Sequence, residues 1–416
     1  MGKTVVAAGA VAITLVATAC SNSTNAGAGS SPGPSSGSGS NASIKIGVNE
    51  PFSGPFGFYG EFVANSLQAE ADQVNSSGGI LGRKISIVRR DNALDPQKAV
   101  QASQELANDP SVGLVEGPSF TSFFDATKQI YEQAHKVNCQ VAVDGTDSLK
   151  GLKYAFRANQ NAQITSQNLV KWLASQGVKS LGAVYQNDGE GQSFNAELAA
   201  AGKADGVAWL GNAAISPSAT SHGTQVQAMM AKGAQAIFIS NNSTEAAVTA
   251  ASAAQVGYKG KLVSGNGLEG YTFLEGAGDA ANGAVLSANY LGYFTKQSRD
   301  QWPAAYRAHV EQVEKQYGAT TGPKSGVKSF KGTGTAADCV FLWSEAAKKA
   351  GSVDAAKVVS GWEGLSFPAS KMPSAVSVSF GPDDHEEWSS PNQMYVYSWQ
   401  HEGGKWFLKQ LSGPAS

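Results

Sequence analysis

The chain has 416 residues with 31 basic and 33 acidic side chains, and this near-balance (formal charge -2) excludes the basic excess of a nucleic-acid binder. Hydrophobic residues make up 42%, ample for a large core, so a wholly disordered chain is excluded too. Three cysteines are too few for the disulfide scaffold of a small secreted domain, 48 glycines point to many turns and close backbone approaches, and the length suggests two or three domains.

The N-terminus comes first in chain order. Lys3 precedes an apolar run, Thr4 to Ala19, that is short for a membrane span of about 20 residues and fits a secretory h-region. The run ends in Ala17-Thr18-Ala19-Cys20, which resembles a bacterial lipobox, with Ala17 where Leu is commoner. That resemblance implies a lipoprotein signal peptide over residues 1–19, cleavage before Cys20 and lipidation of its sulfur. Buried acyl chains contribute about 0.8 kcal/mol per CH₂, so the mature protein is expected on the extracytoplasmic face of the cell membrane, lipid-anchored. Residues 20–43 read as the lipidated Cys and a disordered Ser/Gly tether, with a reach of roughly 25 Å. Two GxSxG strings, at residues 29–33 and 33–37, fall in the tether, where no strand exists to build a nucleophile elbow.

The body then alternates strands and helices. Ile44–Val48 reads as a strand and Glu61–Asn75 as a helix, with apolar side chains at Phe62, Val63, Leu67, Ala71 and Val74. Gly78 and Gly79 stop that helix. Ile85–Val88 is the second strand, and Asp95-Pro96 opens a helix through a cap and a first-turn proline. Val112–Val115 and Cys139–Val143 are the third and fourth strands. After a connection at residues 157–161 the pattern restarts, with strands at Leu181–Tyr185, Val207–Leu210, Ala236–Ile239, Leu262–Ser264 and Val285–Ala288. Thr295–Ala350 reads as helical, Val376–Phe380 as a strand and Tyr395–Leu408 as a hairpin around His401-Glu-Gly-Gly404. Two strand–helix runs of similar length imply two α/β lobes with mainly parallel sheets.

Ligands of parallel α/β sheets bind beyond the carboxyl ends of the strands. The loops there are rich in small polar groups: Ser53-Gly54, Pro118 to Thr121, Asp144 to Asp147, Asn187-Asp188, Asn241 to Thr244 and Gly265 to Gly267. Such residues also make ordinary turns and caps. Several precede helices, where hydroxyls and backbone N–H groups can hold a carboxylate.

Ile44 to Val48, Ser53-Gly-Pro55, Tyr59-Gly60, Asn75 to Ile80, Gly82 to Ile85, Arg90-Asp91 and Asp95-Pro96 stand in an order that resembles the leucine/isoleucine/valine-binding type I periplasmic solute-binding proteins of branched-chain amino-acid ABC importers. The likeness continues through Ile130 to Glu132, Gly189 to Gly191, Val256-Gly257, Gly278 to Ala280 and Asp384-His385. It implies an α/β fold of two Rossmann-like lobes with parallel sheets joined by three crossovers. Lobe 1 is then residues 44–158 plus 290–375, and lobe 2 is 159–289 plus 376–416. It also implies a ligand-binding set. The loop hydroxyl for an amino-acid carboxylate falls at Thr121, with Ser119 and Phe120 beside it. The completing loop falls at Gly145 and Thr146, and aromatics fall at Tyr59 and Phe330. In the second lobe the resemblance breaks: Asn266 stands where the family's ammonium-binding acid falls, Asn242 where a Tyr falls, and Asp188 where another Tyr precedes Gly-Glu-Gly. Asn carries no negative charge, so either Asp188 or Glu269 takes the acid's role or the ligand has no ammonium group. The family's half-cystine position holds Leu94, leaving Cys139 and Cys339 either bridged or free and buried.

The expected function is capture of a branched-chain amino acid or related small polar solute (amide, urea or aromatic acid) by hinge closure, followed by docking on the permease and ATPase subunits of an importer. A solute sensor passing its closed state to a signalling partner is the alternative. No cofactor, metal, nucleic acid or catalysis is expected, and the protein is expected to be a monomer. Gly265 to Gly270 matches GxGxxG and Gly332 to Ala337 matches GxGxxA, but neither is followed by a ribose-binding acid. The five histidines lack metal-ligand spacing, and His385 reads as a turn or packing residue.

Overall fold

The computed structural model describes Gly2 and residues 42–54, 56–216 and 218–414. Cys20, the apolar run and the tether lie outside the described residues. The first sheet is built from β1 (Ile44–Glu50), β2 (Ile85–Asp91), β3 (Val112–Glu116), β4 (Asn138–Gln140) and β5 (Ala155–Arg157). Its order is β2-β1-β3-β4-β5 and every pairing is parallel. Helices α1 (Gly57–Ser76), α2 (Pro96–Asn108) and α3 (Thr121–Gln133) connect the strands. Because helices cover both faces, the central strand is apolar almost throughout: Ile44, Ile46 and Val48 are all buried. The Asp95 side chain accepts from the Gln97 and Lys98 N–H groups, so α2 starts at the expected cap.

Helix α4 (Ala162–Ser175) leads into the second sheet. Its parallel part is β6 (Ser180–Gln186), β7 (Ala208–Ile215), β8 (Ala236–Ile239), β9 (Lys261–Ser264) and β10 (Val285–Ala288), with helices α5 (Gly189–Asp205), α6 (Gly223–Ala231), α7 (Ser243–Gln255) and α8 (Tyr271–Ala277) between. The chain continues through α9 (Ala304–Tyr317), the short pair β11 (Thr320–Thr321) and β12 (Lys328–Ser329), α10 (Gly334–Ala350), α11 (Ala355–Trp362) and the short pair β13 (Ser366–Phe367) and β14 (Val378–Ser379). It ends in a hairpin, β15 (Tyr395–Glu402) and β16 (Lys405–Ser412), added antiparallel to β10. The second sheet therefore runs β16-β15-β10-β9-β8-β6-β7.

Two cores result. Ala158 belongs to the first and Ala162 to the second. The chain is still in the second at Ala288 and has returned to the first by Ala336. It crosses again between Met394 and Val396. These are the three crossovers of a two-lobed α/β fold.

Several expected details differ. The segment Thr295–Ala350 is not continuously helical: Gly318, at φ 69°, ends α9, and the β11–β12 turn intervenes before α10. The fourth strand stops at Gln140 instead of Val143, because the chain bends at residues 141–142. Residues 155–157, of which only Arg157 was read as part of the connection, form the edge strand β5. Val376, Val378, Phe380 and Trp388 pack in the first core, although the sequence reading puts residues 376–416 with the second lobe. Cys139 and Cys339 are bridged, with Cα atoms 5.8 Å apart, joining β4 to α10. His385 stacks on Phe156 at 4.1 Å and its Nδ1 meets the Ala155 carbonyl at 2.9 Å, a packing role. Among the described residues, no helix is long and apolar enough to cross a membrane.

Candidate ligand cleft between the lobes

The carboxyl ends of the two sheets meet. Asn241, just past β8, donates from Nδ2 to Asp144 Oδ2 at 2.8 Å, and Asp144 lies in the loop after β4. Thr146 N–H donates to Ser193 Oγ on α5 at 3.1 Å. A methyl group at Gly189 would sit 3.6 Å from Ser122 Oγ and 3.7 Å from Thr121 Cγ2, so the start of α5 faces the start of α3.

The first-lobe wall is assembled from α1, the loop after β3 and the loop after β4. The Tyr59 hydroxyl lies 3.1 Å from Ser119 Oγ, and its ring stands 5.6 Å from that of Phe120. Burial, then the nearby negative charge of Glu50 and Glu116, pushes the Tyr59 hydroxyl well above its usual range, so it stays protonated. Phe120 is held at φ 72°, a left-handed conformation that costs energy for a residue with a Cβ. It cannot cap α3 with its side chain, so α3 begins without a side-chain cap. Thr121 Oγ1 accepts from the Gly145 N–H at 3.1 Å, leaving its hydroxyl proton to donate. A side chain at Gly145 would strike Ser148 Oγ and Thr121 Cγ2 at 2.5 and 2.7 Å, so only glycine permits this approach. The loop is braced from below by Arg157, whose Nη1 donates to the carbonyls of Val143 and Gly145 and whose Nη2 donates to Glu386.

On the second-lobe wall the Asp188 carboxylate accepts from the Gly191 N–H and caps α5. Asn242 Oδ1 accepts from the Thr244 N–H and caps α7. Asn266 Oδ1 accepts from Asn241 Nδ2 at 3.1 Å. Gly267 packs so tightly on the Asn241 backbone that a methyl there would sit 1.7 Å from the carbonyl oxygen, which accounts for the GxGxxG string without a nucleotide. The structure thus brings Tyr59, Ser119, Phe120, Thr121, Gly145 and Thr146 to one wall, and Asp188 and Asn266 to the elements facing it. Phe330 lies elsewhere, with its ring 5.4 Å from Tyr293 and 5.9 Å from His309.

The sequence reading put Asp144 and Asn241 in candidate ligand loops and Glu190 in a family motif but assigned none of them a contact. Asp144 and Glu190 act on each other electrostatically across the cleft, and Tyr185 donates to Glu190 at 2.5 Å. Burial raises Asp144 to about 6, partly opposed by the Arg157 charge. Burial, then the charge of Asp144, raises Glu190 well above the usual carboxylate range. Glu269 is pushed up to about 7 by burial. An open groove of about 730 Å³, lined by Asn168, Trp172, Met394 and Tyr395, shares none of these residues.

With this geometry in view, the matches to known proteins fall into place. A family model described as periplasmic binding protein matches residues 43–405, and the chain belongs to that family, in its leucine/isoleucine/valine-binding type. It is 26% identical over 370 residues to the Leu/Ile/Val-binding protein homolog 7 of Brucella abortus, covering 86% of this chain and 89% of that one. Two solved structures share the fold. One is an ABC transporter substrate-binding protein from Desulfitobacterium hafniense in complex with Leu, at TM-score 0.70 and 20% identity, covering 88% of this chain and all of that one. The other is a solute-binding protein from Rhodopseudomonas palustris in complex with 4-hydroxybenzoate, at TM-score 0.75 and 18% identity, covering 89% and 96%. Members of the family are solute-binding proteins, not enzymes.

Proposed function

We propose that this protein is the extracytoplasmic receptor of an ABC importer, anchored through a lipid on Cys20, and that it captures a small polar solute by closing its two lobes. The observation that carries the reading is the Asp144–Asn241 hydrogen bond, which ties the strand-end loop of one sheet to that of the other across a single cleft. A solute between these loops contacts both lobes only when they close, so its differential affinity for the closed form drives closure. The uncapped start of α3, with the Ser119, Thr121 and Thr146 hydroxyls, suits a carboxylate. Leucine and 4-hydroxybenzoate, bound by relatives of the same fold, both carry one. Asp188, Asn242 and Asn266 supply hydrogen-bonding groups from the facing lobe. A branched-chain amino acid and a small aromatic acid are accordingly the first ligands to test, with amides and urea next. The tether keeps the closed form within reach of a membrane permease.

The test is a thermal-shift screen with L-leucine, L-isoleucine, 4-hydroxybenzoate, acetamide and urea, followed by calorimetry. A binder at 100 times its Kd adds about 2.7 kcal/mol of stability. Thr121→Ala is expected to weaken the hit by about 1–3 kcal/mol through the loss of a buried hydrogen bond. No shift with any of these solutes would defeat the ligand class, and an unchanged Kd in the variant would remove Thr121 from the site.

A further inference from the structure

Beneath the first-lobe wall lie two carboxyl groups that the binding reading does not use. Glu50 ends β1 and Glu116 ends β3, adjacent central strands of the first sheet, and neither side chain is exposed at all. Val48 pairs with Glu116 in the parallel ladder, so Glu50, two residues further on, points to the same face as Glu116 and the two carboxyls are diagonal neighbours. Glu50 Oε1 also accepts from the Ser119 N–H at 2.9 Å. Glu50 Oε2 and both oxygens of Glu116 have no hydrogen-bond partner among the described residues. Two bare carboxylates side by side in a dry space repel, so such a pair favours keeping a proton.

The charged and titratable groups around the pair are few. Tyr59 from α1 and Tyr131 from α3 face it, both neutral, and Asp144 adds negative charge at Tyr59. No Lys, Arg or His among the described residues contributes to either carboxyl. Asn49, Ser103 and Tyr131 form a separate neutral cluster behind Glu50 on β1. Burial raises Glu50 to about 7 and Glu116 further, in keeping with a pair that retains one proton at neutral pH. The ligand-facing loop wraps this pair. A methyl at Gly117 would touch Glu50 Oε1 at 2.7 Å, Ser119 hangs from the same oxygen, and Phe120 follows in its strained left-handed turn.

The geometry points to Glu50 and Glu116 as a one-proton carboxyl pair that positions the loop Gly117–Thr121, so that loss of the shared proton releases Ser119 and loosens the wall on which the ligand rests. These are positioning residues: they act through the Ser119 amide. The assignment rests on the cleft being the binding site, but its test needs no ligand. In the one-proton state Glu50 carries the charge and grips the Ser119 N–H, while Glu116 donates to it. When the second proton leaves, two buried charges repel and the pair must separate or admit water.

The experiment is hydrogen–deuterium exchange of the ligand-free protein at about pH 7.5, where the pair holds one proton, and at about pH 9.5, corrected for intrinsic exchange, reading peptides that cover residues 117–124. Protection of these amides in the native protein is expected to fall by about tenfold or more, the opening caused by loss of one hydrogen bond to a charged acceptor. Peptides from β8 and β9 serve as the control and are expected to stay unchanged. Glu116→Gln donates the same hydrogen bond without a titrating proton, so it is expected to keep the loop protected at both pH values. Glu50→Gln is expected to weaken protection already at the lower pH, because a neutral acceptor holds the Ser119 N–H less strongly. Equal protection of the native loop at both pH values would overturn the proposal. So would a Glu116→Gln protein with native thermal stability at the lower pH and the native pH dependence of exchange. A protein that binds none of the solutes screened above would defeat the ligand reading and leave this exchange result standing or falling by itself.

Discussion

The two lobes share a fold and differ in what they bury. Among the described residues the first lobe holds Glu50, Glu70, Glu116, Asp144, Asp338 and Glu387 at 7% exposure or less, whereas the second holds only Glu245 so deeply. The first lobe also contains the Cys139–Cys339 bridge. The second has a core of alanines, aliphatic residues and aromatics such as Phe273, Tyr397 and Trp399. Desolvation raises every one of the six first-lobe carboxyls, and two pairs, Glu50–Glu116 and Asp338–Glu387, lean on each other. Burying acids costs free energy that an apolar core does not incur. The difference teaches that the first lobe trades stability for a shaped polar wall and is stapled covalently, while the second is an apolar clamp that needs no staple.

Breaking the staple is the largest expected perturbation. The bridge spans 200 residues of sequence. Replacing Cys139 and Cys339 together with Ala is expected to cost about 2–5 kcal/mol. Guanidinium unfolding followed through the Trp fluorescence checks this, since Trp343 and Trp362 belong to the first core. A double variant as stable as the native protein would mean that the first lobe does not depend on its staple.

Next comes Arg157→Met. Arg157 is 1% exposed and serves the first-lobe wall and Glu386 together. Its loss is expected to cost about 1.5–3 kcal/mol, the range for hydrogen bonds to a charged group, and to weaken binding of any solute found in the screen. Unfolding midpoints and calorimetry of the same variant would separate the two effects. A stable variant with unchanged affinity would show that the Asp144 to Thr146 loop is held by its other contacts.

The smallest expected effect, per pH unit, is a pH dependence carried mostly by the first lobe, with Glu190 and Glu269 of the second adding to it. Glu50 and Glu70 are raised to about 7 and about 8, and Asp144 and Asp338 to about 6. A carboxyl with a raised native pKa holds its proton in the folded chain after the unfolded chain has lost it. Stability is therefore fully present below the unfolded pKa near 4 and declines as pH rises through the native values. Each proton that the folded chain keeps and the unfolded chain has lost is expected to remove about 1.4 kcal/mol of stability per pH unit, so stability falls throughout the window from about pH 5 to about pH 8. Denaturant unfolding across that window tests it. Stability that rises with pH there would contradict the burial of these acids.

Much of the fold was legible. Ile44 to Val48, Ile85 to Val88 and Val112 to Val115 are apolar, β-branched runs bounded by turn residues, and helices with caps such as Asp95-Pro96 announce where they start. The edge strand β5 gave no such signal, since three residues are too few for a period to show, and β4 was found but with its end set at Val143. The site was legible as loops and as a family motif, through Tyr59, Ser119, Thr121 and Gly145. Partnerships were not. Nothing local to Asn241 says that it reaches Asp144, 97 residues earlier in the chain. Glu50 and Glu116 look like ordinary strand-end acids, because their burial and their contact come from adjacent strands 66 residues apart in sequence.

By itself the sequence determined the alternation of strands and helices, the two-lobed class and the loops on which a ligand site had to be built. Those follow from periodicity, capping and turn chemistry, which act over a few residues. Only the tertiary structure decided that Cys139 and Cys339 are joined, that Asp144 meets Asn241, that Asn266 is already engaged, and that two carboxyls share a dry space under Ser119. Each of these is a contact between distant segments, and its energy depends on solvent exclusion that no local stretch of chain can produce.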